Sequence, residues 1–136
     1  MQTKSELERS IYNAQNRYNS VAQTVADCNK QIARLEPVYK QLEEIKREYR
    51  SLRKATIDVF SEKGVWKGSK RDSFRELGDE LDIVCGEYYK TLDAAHDVIN
   101  VKIGELRAEK ARKVLLLGDL FAQIEQWRVD IENLKN

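Results

Sequence analysis

The chain holds one proline, one histidine and two cysteines in 136 residues, and each scarcity removes a class of protein. His96 stands beside Asp97 on a helical stretch, so a Ser-His or Cys-His machine would need a rigid pocket that this pattern does not supply. It reads as an exposed or partner-facing histidine. Cys28 and Cys85 form no C-x-x-C pair and no metal-ligand spacing, and they read as buried thiols acting as small apolar residues. No run of about 18 apolar residues exists, which leaves no membrane span. The N-terminus, Met1-Gln2-Thr3-Lys4-Ser5-Glu6, lacks the apolar core of a secretory signal. The expectation is therefore a cytoplasmic protein, with export by a specialised route still open. No charge of one sign dominates: 24 basic and 23 acidic side chains are interspersed for a net charge of +1. The densest basic stretch, Lys46 to Lys54, itself contains Glu48, so the stripe that phosphate neutralisation requires is missing and no nucleic acid is expected. Lys63-Gly64 and Lys67-Gly68 lack the spacing and the strand context of a phosphate-binding loop. No metal, no cofactor and no catalytic constellation is expected.

What is present is charge, at 35% of residues, alongside 41% hydrophobic residues, a balance typical of long helices and coiled coils. From about residue 5 to residue 60 the apolar positions are Leu7, Ile11, Ala14, Tyr18, Val21, Val25, Cys28, Ile32, Leu35, Tyr39 and Leu42. They alternate spacings of four and three, the seam of one helix packed lengthwise on another. The stripe then slips by one residue and continues through Ile45, Tyr49, Leu52 and Val59. Pro37 removes one backbone donor inside this segment, which predicts a kink, with a full break as the alternative.

Periodicity fails over residues 61–68, where Gly64 and Gly68 mark a turn. Ser69 reads as an N-cap, with Asp72 three residues on completing a capping-box-like pattern. A second helix follows over about residues 69–134, with the stripe Phe74, Leu77, Leu81, Val84, Tyr88, Leu92, Ala95, Ile99, Ile103 and Leu106. Charges interrupt it between Leu106 and Val114, and it resumes at Val114, Leu117, Phe121, Ile124, Trp127, Ile131 and Leu134. Gly78, Gly86, Gly104 and Gly118 each weaken this helix by up to about 1 kcal/mol relative to alanine, and a bend at Gly104 or Gly118 is compatible with that.

Two long helices joined by one short turn lie antiparallel. The fold class is all-α, a single helical-hairpin domain over residues 1–136. A turn centred on residues 61–68 pairs residue i with about residue 129 − i. Cys28 then faces about Val101 and Cys85 about Glu44, which separates the thiols by about 24 Å and excludes an internal bridge.

The hairpin carries more apolar side chains than one seam uses. Val114-Leu115-Leu116-Leu117 covers every face of a helical turn, and a helix apolar around its girth is buried around its girth. Trp127, Ile131 and Leu134 extend the stripe beyond the start of helix 1. The missing helices are expected from another chain. Carboxylates lie at helical spacing from bases, as Glu43 does from Arg47, and support the helix without acid-base work.

The turn carries Trp66-Lys67-Gly68. A helical hairpin with Trp-x-Gly at its turn resembles the WXG-like small proteins of type VII secretion. Phe60 before the loop, then Phe74 and Leu77-Gly78-Asp79 entering helix 2, make it similar to a Gram-positive subgroup of small helical proteins that accompany LXG-domain toxins. The chain is longer and more charged than a typical WXG protein. The resemblance implies a targeting adaptor or chaperone. It would bind the helical N-terminal domain of an LXG toxin together with a second small helical protein, as a hetero-oligomer or, when isolated, a homodimer. It also implies an aromatic-x3-acid export signal, for which Phe121/Glu125 is the pair placed late enough; Tyr39/Glu43 and Tyr89/Asp93 come too early. The candidate partner-binding residues are Phe60, Trp66, Phe74, Val114, Leu117, Phe121, Trp127 and Ile131, with Trp66 and Gly68 as the turn motif. Two other readings compete: a self-associating structural coiled coil without a secretion role, and a chaperone that masks an apolar client.

Overall fold

A computed structural model describes residues 2–61 and 69–135, with the side chains of residues 60, 61 and 69–71 left outside that description. It contains two helices, α1 (Lys4–Ser61) and α2 (Ser69–Lys135), packed as an antiparallel hairpin, with no strand among the described residues. Helix α1 starts at a reciprocal capping box: the Thr3 hydroxyl accepts from the Glu6 amide at 3.2 Å, and the Glu6 carboxylate accepts from the Thr3 amide at 3.4 Å. The chain runs helical through Pro37. It also stays helical through Gly78, Gly86, Gly104 and Gly118.

The chain divides into two compact units. The first joins residues 1–34 of α1 to residues 103–136 of α2. Its core is Ala14, Val21, Leu120 and Ile124, with Ile11, Tyr18, Leu116, Leu117 and Trp127 packed against them. Leu7, Cys28, Ile103 and Leu106 are also buried. Burying each Leu or Ile of this kind is worth about 1.5–3 kcal/mol. Between Leu106 and Leu117 the seam does not lapse. Lys110 and Lys113 hold the spacing of three and four, half-buried, as lysines do when the stem lies along apolar surface and the ammonium reaches water.

The second unit comprises residues 35–102. Here the seam departs from the apolar pattern. Half-buried residues on α1 follow an unbroken three-four spacing through Tyr39, Leu42, Lys46, Tyr49, Arg53 and Thr56. The predicted phase slip at Leu42 to Ile45 is absent, and Ile45, Leu52 and Val59 are exposed. Helix α2 does the same with Gly78, Asp82, Cys85, Tyr89, Leu92, His96 and Ile99 half-buried. Leu77, Leu81, Val84 and Tyr88 are exposed. One residue is a rotation of about 100° on a helix, enough to move a side chain out of a seam.

The register differs from a turn-centred hairpin as well. Tyr39 stacks on His96, Lys46 bonds Asp93, Tyr49 bonds Cys85 and Arg53 bonds Asp82. These pair numbers sum to 134–139 instead of 129. Side-chain packing along the seam sets the register, and the loop midpoint does not. Cys85 therefore faces Tyr49 and not Glu44. Both cysteines are free thiols, Cys28 buried and Cys85 half-buried.

Candidate partner-binding face

The residues that replace apolar ones in the seam of the second unit are held by specific partners. The Lys46 ammonium, its side chain 13% exposed, donates to the Asp93 carboxylate. That bond raises the Lys46 pKa against the opposing effect of burial, and it lowers the pKa of Asp93. Arg53 Nε donates to Asp82 Oδ1 at 2.7 Å, which raises the guanidinium pKa further. The Tyr49 hydroxyl donates to the Cys85 carbonyl at 3.0 Å. Its hydrogen bond at Cys85, followed by burial, pushes the phenol up to about 12. Arg50 donates to the Tyr89 hydroxyl and lies over its ring, as does Lys46.

His96 lies in this seam, not on an exposed or partner-facing surface. Its ring stacks on Tyr39 with centroids 4.2 Å apart, and its side chain is 12% exposed. Its Nε2 is buried without a hydrogen-bond partner, with Glu43 Oε1 3.8 Å away, too far for a hydrogen bond. Burial, followed by the Glu43 charge, raises the Tyr39 pKa. Asp93, His96 and Asp97 bring possible ligand atoms within 4.8 Å of one another. Asp93 is already committed to Lys46, whose ammonium would repel a cation there.

Setting charges into the seam leaves the apolar side chains outside. Ile45, Leu52 and Val59 recur at seven-residue intervals on α1, each one position before a seam residue or its helical equivalent. On α2, Leu81 and Tyr88 occupy the same place, one position before Asp82 and Tyr89, with Leu77 and Val84 beside them. In an antiparallel pair, positions just before equivalent seam residues lie on one side of the contact, because the two-fold relation between the helices preserves that side. The exposed residues of both helices thus form one apolar strip along the second unit. Tyr88 lies at its inner edge, its ring 5.0 Å from that of Tyr49.

The side chains singled out in the sequence fall in several places. Phe60, Trp66 and Gly68 lie outside the residues whose side chains are described, so the Trp-x-Gly turn is outside the description. Phe74 is half-buried near the start of α2. In the first unit, Leu117 and Trp127 pack against the intramolecular core, and Ile131 is half-buried. Val114, Leu115 and Phe121 are exposed, so the run 114–117 is covered on one side only. Leu120, absent from the sequence-derived stripe, occupies the core position assigned there to Phe121. Of the Phe121/Glu125 pair, Phe121 is 58% exposed and Glu125 accepts from Arg128 at 2.7 Å. Lys46, Arg53, Asp82 and Asp93 were not among the candidates. Lys46 and Arg53 continue the unslipped three-four spacing of α1, which was the available signal; Asp93, one position past Leu92, carried none.

No family model, curated protein or solved structure matches the chain. Among the described residues, no helix is long and apolar enough to cross a membrane.

Proposed function

We propose that the protein is a non-catalytic adaptor that docks helical segments of a partner along the exposed apolar strip of its second unit. The observation that carries this is the exchange of roles within residues 35–102: charged pairs close the seam, while Ile45, Leu52, Val59, Leu77, Leu81, Val84 and Tyr88 face outward. A strip of that length at heptad spacing suits a further helix, and contiguous exposed apolar surface marks an interaction site. With the resemblance carried by Trp66-Lys67-Gly68, the partner proposed is the helical N-terminal domain of an LXG-type toxin. A second small helical protein would join it for type VII secretion.

Co-purification with such a toxin domain tests this reading. The wild-type chain is expected to form a defined complex, and a Leu52→Asp/Val84→Asp variant to lose it by at least about tenfold in affinity, since buried charge at an interface is costly. Circular dichroism should show unchanged helix content, because neither side chain is in the seam. A stable homodimer that captures no toxin domain would favour the self-associating coiled coil instead.

A further inference from the structure

The strip has an electrostatic border of one sign. On a helix, the surface neighbours of a residue are those three and four positions away. For Ile45, Leu52, Leu77, Leu81, Val84 and Tyr88, the charged neighbours outside the seam are Glu48, Glu80 and Glu87, all exposed. No base occupies such a position among the described residues. The bases of α1 are placed elsewhere: Lys46 and Arg53 are tied to Asp93 and Asp82 inside the seam. Arg50 is bonded to Tyr89, and Lys40, Arg47 and Lys54 are on the helix face away from the strip. The charges of this unit are nearly balanced in number but sorted in space.

That sorting selects the occupant. A second copy docked face to face by a two-fold axis would bring the same acids to the same rim, and like charges across an interface oppose association. A partner helix with an apolar stripe flanked by lysine or arginine would seat its stripe on the strip and its bases against Glu48, Glu80 and Glu87. We infer that the second unit is a docking site for an amphipathic helix with basic flanks, and that its acidic rim discriminates against acidic-flanked helices and against the chain itself. This rests on the adaptor reading for its site and adds the charge of the partner.

The test uses the full-length chain and two synthetic helical peptides of about four heptads with the same apolar a and d residues, one with lysine and one with glutamate at e and g. Fluorescence anisotropy of the labelled peptides at low salt should show the lysine peptide bound at least about tenfold more tightly, with the gap closing as salt shortens the Debye length. A Glu48→Lys/Glu80→Lys/Glu87→Lys variant should invert the preference, and Leu52→Asp should abolish binding of both. Equal affinity for both peptides, unmoved by the charge reversal, would overturn the inference while leaving helix docking intact. No binding of either peptide, with the toxin-domain complex surviving Leu52→Asp, would place docking elsewhere and overturn it too. Light scattering supplies a third contradiction: a wild-type dimer that Leu52→Asp dissociates would mean that a second copy covers the strip.

Discussion

Lys46 and Asp93 illustrate how a single buried pair constrains what substitutions can do. Removing Asp93 strands an ammonium that is largely out of water, whereas replacing Lys46 with an apolar residue of similar length removes the charge from the seam. Asp93→Ala should therefore lower the thermal midpoint, and Lys46→Met should leave it equal or raise it; chemical and thermal denaturation of both variants would check the asymmetry. Gly118 offers an independent probe. It is helical, exposed, and a Cβ placed there would meet nothing within 4 Å. Gly118→Ala should stabilise the chain by about 0.5–1 kcal/mol. An unchanged midpoint would mean that the helix there is not formed in solution. At this scale the sequence was partly legible. Thr3 and Glu6 have the spacing of a capping box, a signal left unused when apolar periodicity put the helix start at about residue 5 instead of at Lys4. His96 was misjudged because a lone histidine has no pattern of its own; its stacking on Tyr39 depends on the register.

For the elements, existence and length were readable because apolar spacing is unambiguous where it is unbroken, as from Leu7 to Leu42. It became misleading where apolarity and burial part company. Ile45, Leu52 and Val59 look like a continued seam after a slip, yet the unslipped positions hold Lys46 and Arg53, which lie in the seam because α2 supplies Asp93 and Asp82. That complementarity is visible only once the register is known, and the register is a property of the pair. The same pairs predict a pH response. The Lys46 and Tyr49 pKa values are raised in the fold, so their contribution is complete below their unfolded values and is lost as pH rises through the folded ones. The Asp93 pKa is lowered, so its contribution is present above the unfolded carboxylate value and is lost as pH falls through the folded one. The second unit should hold constant stability between about pH 5 and about pH 9 and lose it on both sides. Thermal midpoints across pH would show this, and Tyr49→Phe should reduce the alkaline loss. An alkaline limb identical in Tyr49→Phe would remove Tyr49 from the account.

At the scale of the whole molecule, the surplus of apolar side chains over what one seam needs was legible in composition and spacing. Its location was not. The run Val114 to Leu117 drew the reading toward the first unit, where Leu116 and Leu117 turn out to pack on the intramolecular core. The longer strip lies in the second unit, on residues that looked internal because they are apolar and periodic. The second unit thus closes its seam with ion pairs and leaves its apolar side chains exposed, and the proposed function stands on that division. Its most direct test is light scattering on the chain co-expressed with an LXG toxin's N-terminal domain, wild type against Leu52→Asp/Val84→Asp. The account predicts a defined heteromeric complex for the wild type and free, fully helical chain for the variant. An undiminished complex with the variant would contradict it.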